Sequence, residues 1–152
     1  MATLLVVHHT PSPALQALLE AVVAGARDDA IEGVEVQIEP ALTCPETAVL
    51  AADGYVLGTP ANLGYMSGAL KHFFDRIYYP CLAATRRRPY GLYVHGNDDT
   101  TGAVRSVRTA TTGLDWRAVA EVLESIGPPD RSDLDAAWEL GATVAASLVA
   151  PQ

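Results

Sequence analysis

Short apolar runs alternate with helical apolar stripes along this chain, and that alternation constrains its fold more than any other feature. Leu4-Leu5-Val6-Val7 is a compact apolar run between Thr3 and His8, suited to a strand buried on both faces. Leu15, Leu18, Leu19, Val22, Val23 and Ala26 follow at i, i+3, i+4, i+7, i+8 and i+11, which draws one stripe along a helix. Ser12 is placed to cap that helix and Pro13 to begin it, where a missing N–H costs nothing. Gly33 to Glu39 alternates strictly, with Val34, Val36 and Ile38 on one face, as an edge strand does. Pro45 to Leu50 predicts a short helix, and Gly54 to Gly58 a buried strand stopped by Thr59-Pro60. Leu70, Phe73, Phe74 and Ile77 mark a helix from Ser67 to Tyr79, ended by Pro80.

Tyr90 to Val94 reads as a further buried strand and Ala103–Thr112 as a helix. Residues 116–123 permit either period and are read as an edge strand. Ser132 or Asp133 caps a last helix whose stripe runs through Leu134, Ala137, Trp138, Gly141, Ala145 and Leu148. Strands alternating with helices imply right-handed βαβ crossovers and a mostly parallel sheet covered on both faces. At 152 residues the chain is long enough for one such α/β domain, 1–152, and too short for two cores.

Eighteen acids against ten bases give a formal charge of −8, which repels phosphate backbones and argues against nucleic-acid partners. No apolar run approaches the roughly 20 residues that span a bilayer, and no basic segment leads into one. No membrane partner and a cytoplasmic location are therefore expected. Cys44 and Cys81 have no His or second Cys at ligand spacing, so both read as reduced core thiols. His8 and His9, adjacent on a strand, point to opposite faces and cannot share a metal. A metal site is not expected.

In open α/β sheets ligands bind beyond the carboxyl ends of the strands. Three segments of this chain lie there. The first, His8 to Leu15, enters a helix N-terminus, where free N–H groups and the macrodipole suit a phosphate. Thr10 and Ser12 add hydroxyls, and Ala14, Leu15 and Gln16 add backbone N–H groups that Pro11 and Pro13 lack. Neither G-x-G-x-x-G nor G-x-x-x-x-G-K-[ST] is present, which disfavours a Rossmann dinucleotide site and a P-loop. The second segment runs Gly58-Thr-Pro-Ala-Asn-Leu-Gly-Tyr-Met-Ser-Gly-Ala-Leu-Lys-His-Phe-Phe-Asp-Arg76, and the third begins His95-Gly96-Asn97-Asp98-Asp99.

The second segment resembles the G-T-P-x-x-x-G-x-M-x-x-x-L-K-x-F-x-D-R signature of the flavodoxin-like NAD(P)H-dependent FMN reductase and quinone oxidoreductase superfamily. The resemblance extends to element order, to all three loops and to Gly127-Pro128-Pro129 with its helix. It implies a flavodoxin-like three-layer αβα sandwich with a five-stranded parallel sheet of order 2-1-3-4-5, holding FMN at the tips of the first, third and fourth strands. On that reading His9, Thr10, Ser12, Pro13, Ala14 and Leu15 wrap the phosphate. Pro60, Ala61, Asn62, Leu63, Gly64 and Tyr65 lie along one side of the isoalloxazine, and His95, Gly96, Asn97 and Gly102 border the other. The flavin carries the chemistry, so no catalytic side chain is implied; His95 is the candidate contact to an acceptor.

The implied activity is reduction of a flavin, a quinone or a similar small-molecule acceptor by NAD(P)H, in a homodimer or tetramer. A flavodoxin-type electron carrier, or a scaffold that has lost strong flavin binding, are the alternatives. Loops of this fold commonly read T-x-T-G-N-T, whereas Pro13, Ala14 and Leu15 occupy the last three positions here. Lys71, Asp75 and Arg76 read as a solvated helical face with a Lys71–Asp75 pair. Arg86-Arg87-Arg88 reads as a solvated turn at the amino end of a strand, away from the ligand edge.

Overall fold

A computed structural model describes residues 1–150; residues 151 and 152, which the single-domain reading includes, lie outside the described residues. In chain order the elements are β1 (Ala2–His8), α1 (Pro13–Ala26), β2 (Val34–Pro40), α2 (Glu46–Ala51), β3 (Gly54–Asn62), β4 (Tyr65–Met66), α3 (Gly68–Leu82), β5 (Pro89–Gly96), α4 (Thr101–Gly113), β6 (Arg117–Ala118), β7 (Leu123–Ile126) and α5 (Arg131–Ser147). The sheet runs β2-β1-β3-β5-β6, with β7 also on β5 and β4 folded back on β3. Every pairing is parallel except β3 with β4. Counting β6 and β7 as two pieces of one edge strand, this is the expected 2-1-3-4-5 order of a flavodoxin-like sandwich.

The period of two in the strands divides the core. Leu4, Val6, Val56 and Tyr93 face α1 and α5, meeting Leu15, Leu18, Val22, Ala137, Leu140 and Val144. Leu5, Val7, Tyr55, Leu57, Leu92 and Val94 face α2, α3 and α4, meeting Leu70, Phe73, Ile77 and Val107. Cys44 and Cys81 are free thiols in this second layer; burial pushes Cys44 up to about 12 and raises Cys81 as well. Among the described residues no helix is long and apolar enough to cross a membrane.

Four elements differ most from the sequence reading. β3 runs through Thr59 and Pro60 to Asn62. Gly58 addresses the β1 side, its carbonyl accepting from His9 N–H, so residue 60 addresses that side too. β1 has ended there at His8, and proline's missing N–H breaks no ladder. α3 continues past Pro80 to Leu82, because buried Ile77 and Cys81 hold its last turn against the sheet. The 116–123 strand is split into β6 and β7, with residues 119–122 outside any strand. α5 is capped two or three residues early: Asp130 is the N-cap, and its carboxylate and that of Asp133 form a reciprocal capping box.

Two basic side chains read as solvated are instead structural. The Arg76 guanidinium donates to the carbonyls of Ala41 (2.7 Å) and Cys44 (2.8 Å). Arg88 donates to the carbonyls of Val49, Leu50 and Ala52 and to the Tyr55 hydroxyl, closing the end of α2. Lys71 and Asp75 do form the expected exposed pair.

Candidate functional site

The parallel register sets His8 beside Gly58 and Pro60 beside His95, so the three loops leave one edge of the sheet. At the first loop Ser12 is the N-cap of α1 and Pro13 its first residue, as the sequence indicates. The Ser12 hydroxyl accepts from Leu15 N–H (3.2 Å), and its carbonyl accepts from Gln16 N–H (3.0 Å). Those two amides, counted as available from the sequence, are therefore committed to the cap. His9 N–H is committed to Gly58. What remains is a spaced set: the N–H groups of Thr10, Ser12 and Ala14 take no partner among the described residues. The prolines at 11 and 13 account for the spacing. Leu15, 1% exposed, turns into the α1–α5 core and leaves the outer surface of the loop clear.

The histidines flank this amide set. His8 Nδ1 and Thr10 Oγ1 are hydrogen-bonded at 2.7 Å, which orients the threonine hydroxyl. Burial, and then the neighbouring His9, hold the His8 imidazole below its ordinary pKa, so it is neutral at pH 7. His9 Nδ1 is buried without a hydrogen-bond partner, an orphaned polar atom on the residue preceding the first free amide. Three free N–H groups, a positioned hydroxyl and an unpaired ring nitrogen at a helix N-terminus suit a phosphate monoester. The donor set fits the phosphate of FMN even though Pro13, Ala14 and Leu15 depart from the usual loop.

The second loop is closed by its own hydrogen bonds. Thr59 Oγ1 donates to the Pro60 carbonyl (2.8 Å) and accepts from Ser67 N–H (3.0 Å). Ser67 Oγ caps α3 by accepting from Leu70 N–H. Met66 N–H donates to Ser106 Oγ on α4 (3.0 Å). Between these clasps Leu63 and Gly64 turn through left-handed backbone, φ 51° and 75°. Asn62, Leu63, Gly64 and Tyr65 stand in solvent, Tyr65 at 42% exposure, while Pro60 is buried and Ala61 half-buried. The turn thus offers a backbone edge and one aromatic face to a flat ring.

The third loop backs onto the second. Gly96 lies against Ala61, and Gly102 lies under the carbonyl of Gly64, so close that a Cβ there would sit 1.9 Å from that oxygen. Gly102 therefore supports the 62–65 turn from beneath. His95 is 8% exposed, and its Nε2 is hydrogen-bonded to the Gly127 carbonyl (2.8 Å). The imidazole thus ties β5 to the segment entering α5. Asn97, Asp98 and Asp99 are exposed. The Asp99 carboxylate accepts from Thr101 N–H (2.9 Å), which holds its carboxyl below the usual range and fixes a negative charge at the start of α4.

Sequence reasoning missed Ser106, the anchor for Met66, and Thr100, whose hydroxyl donates to Glu124 (2.9 Å) and joins the third loop to β7. The signal for Ser106 is its place on the inward stripe of α4, between Ala103 and Val107.

The sequence model of the family described as NADPH-dependent FMN reductase matches residues 32–125, more than half of the chain. A flavodoxin from Aquifex aeolicus (strain VF5) is 35% identical over 77 residues, which make up 51% of this chain and 40% of that protein. The chain thus aligns with less than half of that relative's length. Among solved structures, a WrbA-like flavodoxin from Agrobacterium tumefaciens superposes with a TM-score of 0.78 at 19% identity, covering 97% of this chain and 98% of that one. A flavodoxin from the domain Archaea gives 0.82 at 15% identity, covering 96% and 98%. An oxidoreductase from Corynebacterium diphtheriae gives 0.71 at 21% identity, covering 98% and 97%. At these identities the structures establish the flavodoxin-like fold. The matched segment includes the second loop with its clasps and the third loop that supports it, and this chain belongs to the NADPH-dependent FMN reductase family.

Proposed function

We propose that this protein binds FMN across the carboxyl edge of its sheet and uses NAD(P)H to reduce a small acceptor such as a flavin or a quinone. The observation that carries the reading is the set of unpartnered amides at Thr10, Ser12 and Ala14, one strand away from the exposed Asn62–Tyr65 turn. In this reading the three N–H groups and the Thr10 hydroxyl hold the phosphate, with His9 Nδ1 as a further partner. Asn62, Leu63, Gly64 and Tyr65 carry one side of the ring system, with Gly102 beneath them; Gly96 and Asn97 border the other. Bound FMN supplies the hydride chemistry.

The chain's own residues bind, orient and exclude water. His8 holds the Thr10 hydroxyl toward the phosphate. Thr59, Ser67, Ser106 and Gly102 fix the turn so that the ring meets a preformed surface. Asp99 keeps negative charge on the third loop, which would disfavour further negative charge placed close to it. A cleft of about 370 Å³ between α3 and α4, lined by Tyr65, Phe74, Tyr78 and Tyr79, opens beside the turn and suits a planar acceptor.

The test is an absorption titration with FMN followed by NADPH under anaerobic conditions. A flavin spectrum perturbed on binding and bleached by NADPH is the expected result. A spectrum unchanged by the protein overturns the reading. Binding without bleaching assigns the chain to electron carriage, a reading that the similarity to the Aquifex flavodoxin and the charge of −8 favour.

A further inference from the structure

At the pole opposite the flavin edge, where β1, β3 and β5 begin, lies a polar cleft of about 480 Å³ lined by Asp53, Arg86, Arg87, Arg117, Ser147 and Leu148. Arg86, Arg87 and Arg117 are exposed, and none forms an ion pair; the pairs among the described residues are Lys71–Asp75 and Arg131–Asp135. Asp53 shares the cleft but commits Oδ2 to Thr3 N–H and pairs with no arginine. Three unneutralised guanidinium groups around one concavity are conspicuous in a chain of charge −8.

The two segments that carry these arginines are rigidly joined. Arg87 N–H donates to the Asp115 carbonyl (2.6 Å), Arg117 N–H to the Arg88 carbonyl (2.9 Å), and Trp116 Nε1 to Thr85 Oγ1 (2.9 Å). Tyr55 stacks on Trp116 at 4.0 Å beneath them. Both segments also hold left-handed backbone at residues with side chains, Arg87 at φ 65° and Asp115 at φ 57°. At Asp115 this is the common end of a helix, closed by Asp115 N–H to Thr112 and Trp116 N–H to Thr111, whereas at Arg87 it is unfavourable for an L residue and holds a side chain that lines the cleft.

We propose that this cleft binds a small, multiply charged phosphate, with Arg86, Arg87 and Arg117 gripping its oxygens. Guanidinium groups match phosphate oxygens in paired, planar hydrogen bonds, and the concavity admits a compact anion better than a flat protein surface. The same chemistry serves inorganic pyrophosphate and the polyphosphate tail of a nucleotide. The site lies on the far side of the sheet from the flavin edge and does not depend on flavin binding.

Calorimetric titration at constant ionic strength tests this with pyrophosphate, ATP and, as a charge control, citrate. Pyrophosphate is expected to bind at least tenfold more tightly than citrate; ATP binding equally well assigns the site to nucleotides, and ATP binding more weakly assigns it to the free anion. The triple variant R86Q/R87Q/R117Q is expected to lose at least tenfold in affinity. Arg87→Gly separates binding from folding: it relieves the left-handed strain, so the melting temperature rises while pyrophosphate affinity falls. Equal affinity for citrate and pyrophosphate, or an R87G protein that binds as well as the parent, overturns the proposal. So does binding of polyglutamate in place of both phosphates, which would give the cleft to an acidic protein partner.

Discussion

His8–Leu15 and Thr59–Ser67 leave adjacent strands at the same edge, yet one leaves its amides free and the other ties its polar groups to itself. In the first loop Thr10, Ser12 and Ala14 present N–H groups with no internal partner. In the second, Thr59 and Ser67, both fully buried, close the turn on itself, and Ser106 ties it to α4. The residues that make the second loop recognisable in sequence are therefore those that build it. Thr59, Met66, Ser67, Leu70 and Phe74 are buried, while the ring-facing positions 62–65 stand out in solvent. A signature can thus report the scaffold of a site, while the ligand-holding loop departs from the usual letters and keeps its donors on the backbone.

The contrast can be broken first at Gly102. A methyl group there would meet the Gly64 carbonyl at 1.9 Å, backbone against backbone. Gly102→Ala is expected to destabilise by about 3 kcal/mol in urea unfolding, as overpacking of a tight contact does. It should displace the 62–65 turn and leave the first loop intact. Next in size is Thr59→Val, which leaves the buried Ser67 N–H without an acceptor at a cost of about 2 kcal/mol. If the second loop is scaffold, this variant loses stability in proportion to its loss of FMN affinity.

Ala14→Asp sharpens the comparison from the other side. A carboxylate in the first turn of α1 favours the helix by roughly 0.3–1 kcal/mol through the macrodipole, so the melting temperature should hold or rise. The same charge repels a phosphate, and FMN affinity should fall at least about tenfold, or 1.4 kcal/mol. Stability and binding moving in opposite directions is the mark of a loop built for a ligand.

The smallest effect concerns His8. Its imidazole is held below the unfolded value, so the unfolded chain takes up the proton first as pH falls. The contribution of His8 is fully present above about pH 6.5 and is lost as pH drops from there toward the folded pKa. His8→Asn should flatten the pH dependence of stability in that window, measured by urea unfolding.

Legibility in the sequence followed the range of the interaction. The Ser12 cap and Pro13 start were readable because capping is local, and the apolar periods located every layer. At α5 the sequence points to Ser132 or Asp133, and the reciprocal capping between Asp130 and Asp133 that moves the cap to Asp130 appears only in the fold. Pro60 was misread as a stop because its tolerance depends on where β1 ends, which only the pairing register reveals. The free amides follow from the local cap of α1: with Ser12 at the N-cap, Leu15 N–H goes to its hydroxyl and Gln16 N–H to its carbonyl, which leaves Ala14 free. Arg76 and Arg88 looked solvated because the carbonyls they serve lie 32 to 39 residues away along the chain.

Comparing FMN with riboflavin, which lacks the phosphate, addresses the anchoring donors most directly. Fluorescence titration of the unmodified protein should show FMN bound about a hundredfold more tightly, the worth of two charge-assisted hydrogen bonds at about 1.5 kcal/mol each. Equal affinity for the two, or quenching by neither, would contradict an anchoring role for Thr10, Ser12 and Ala14.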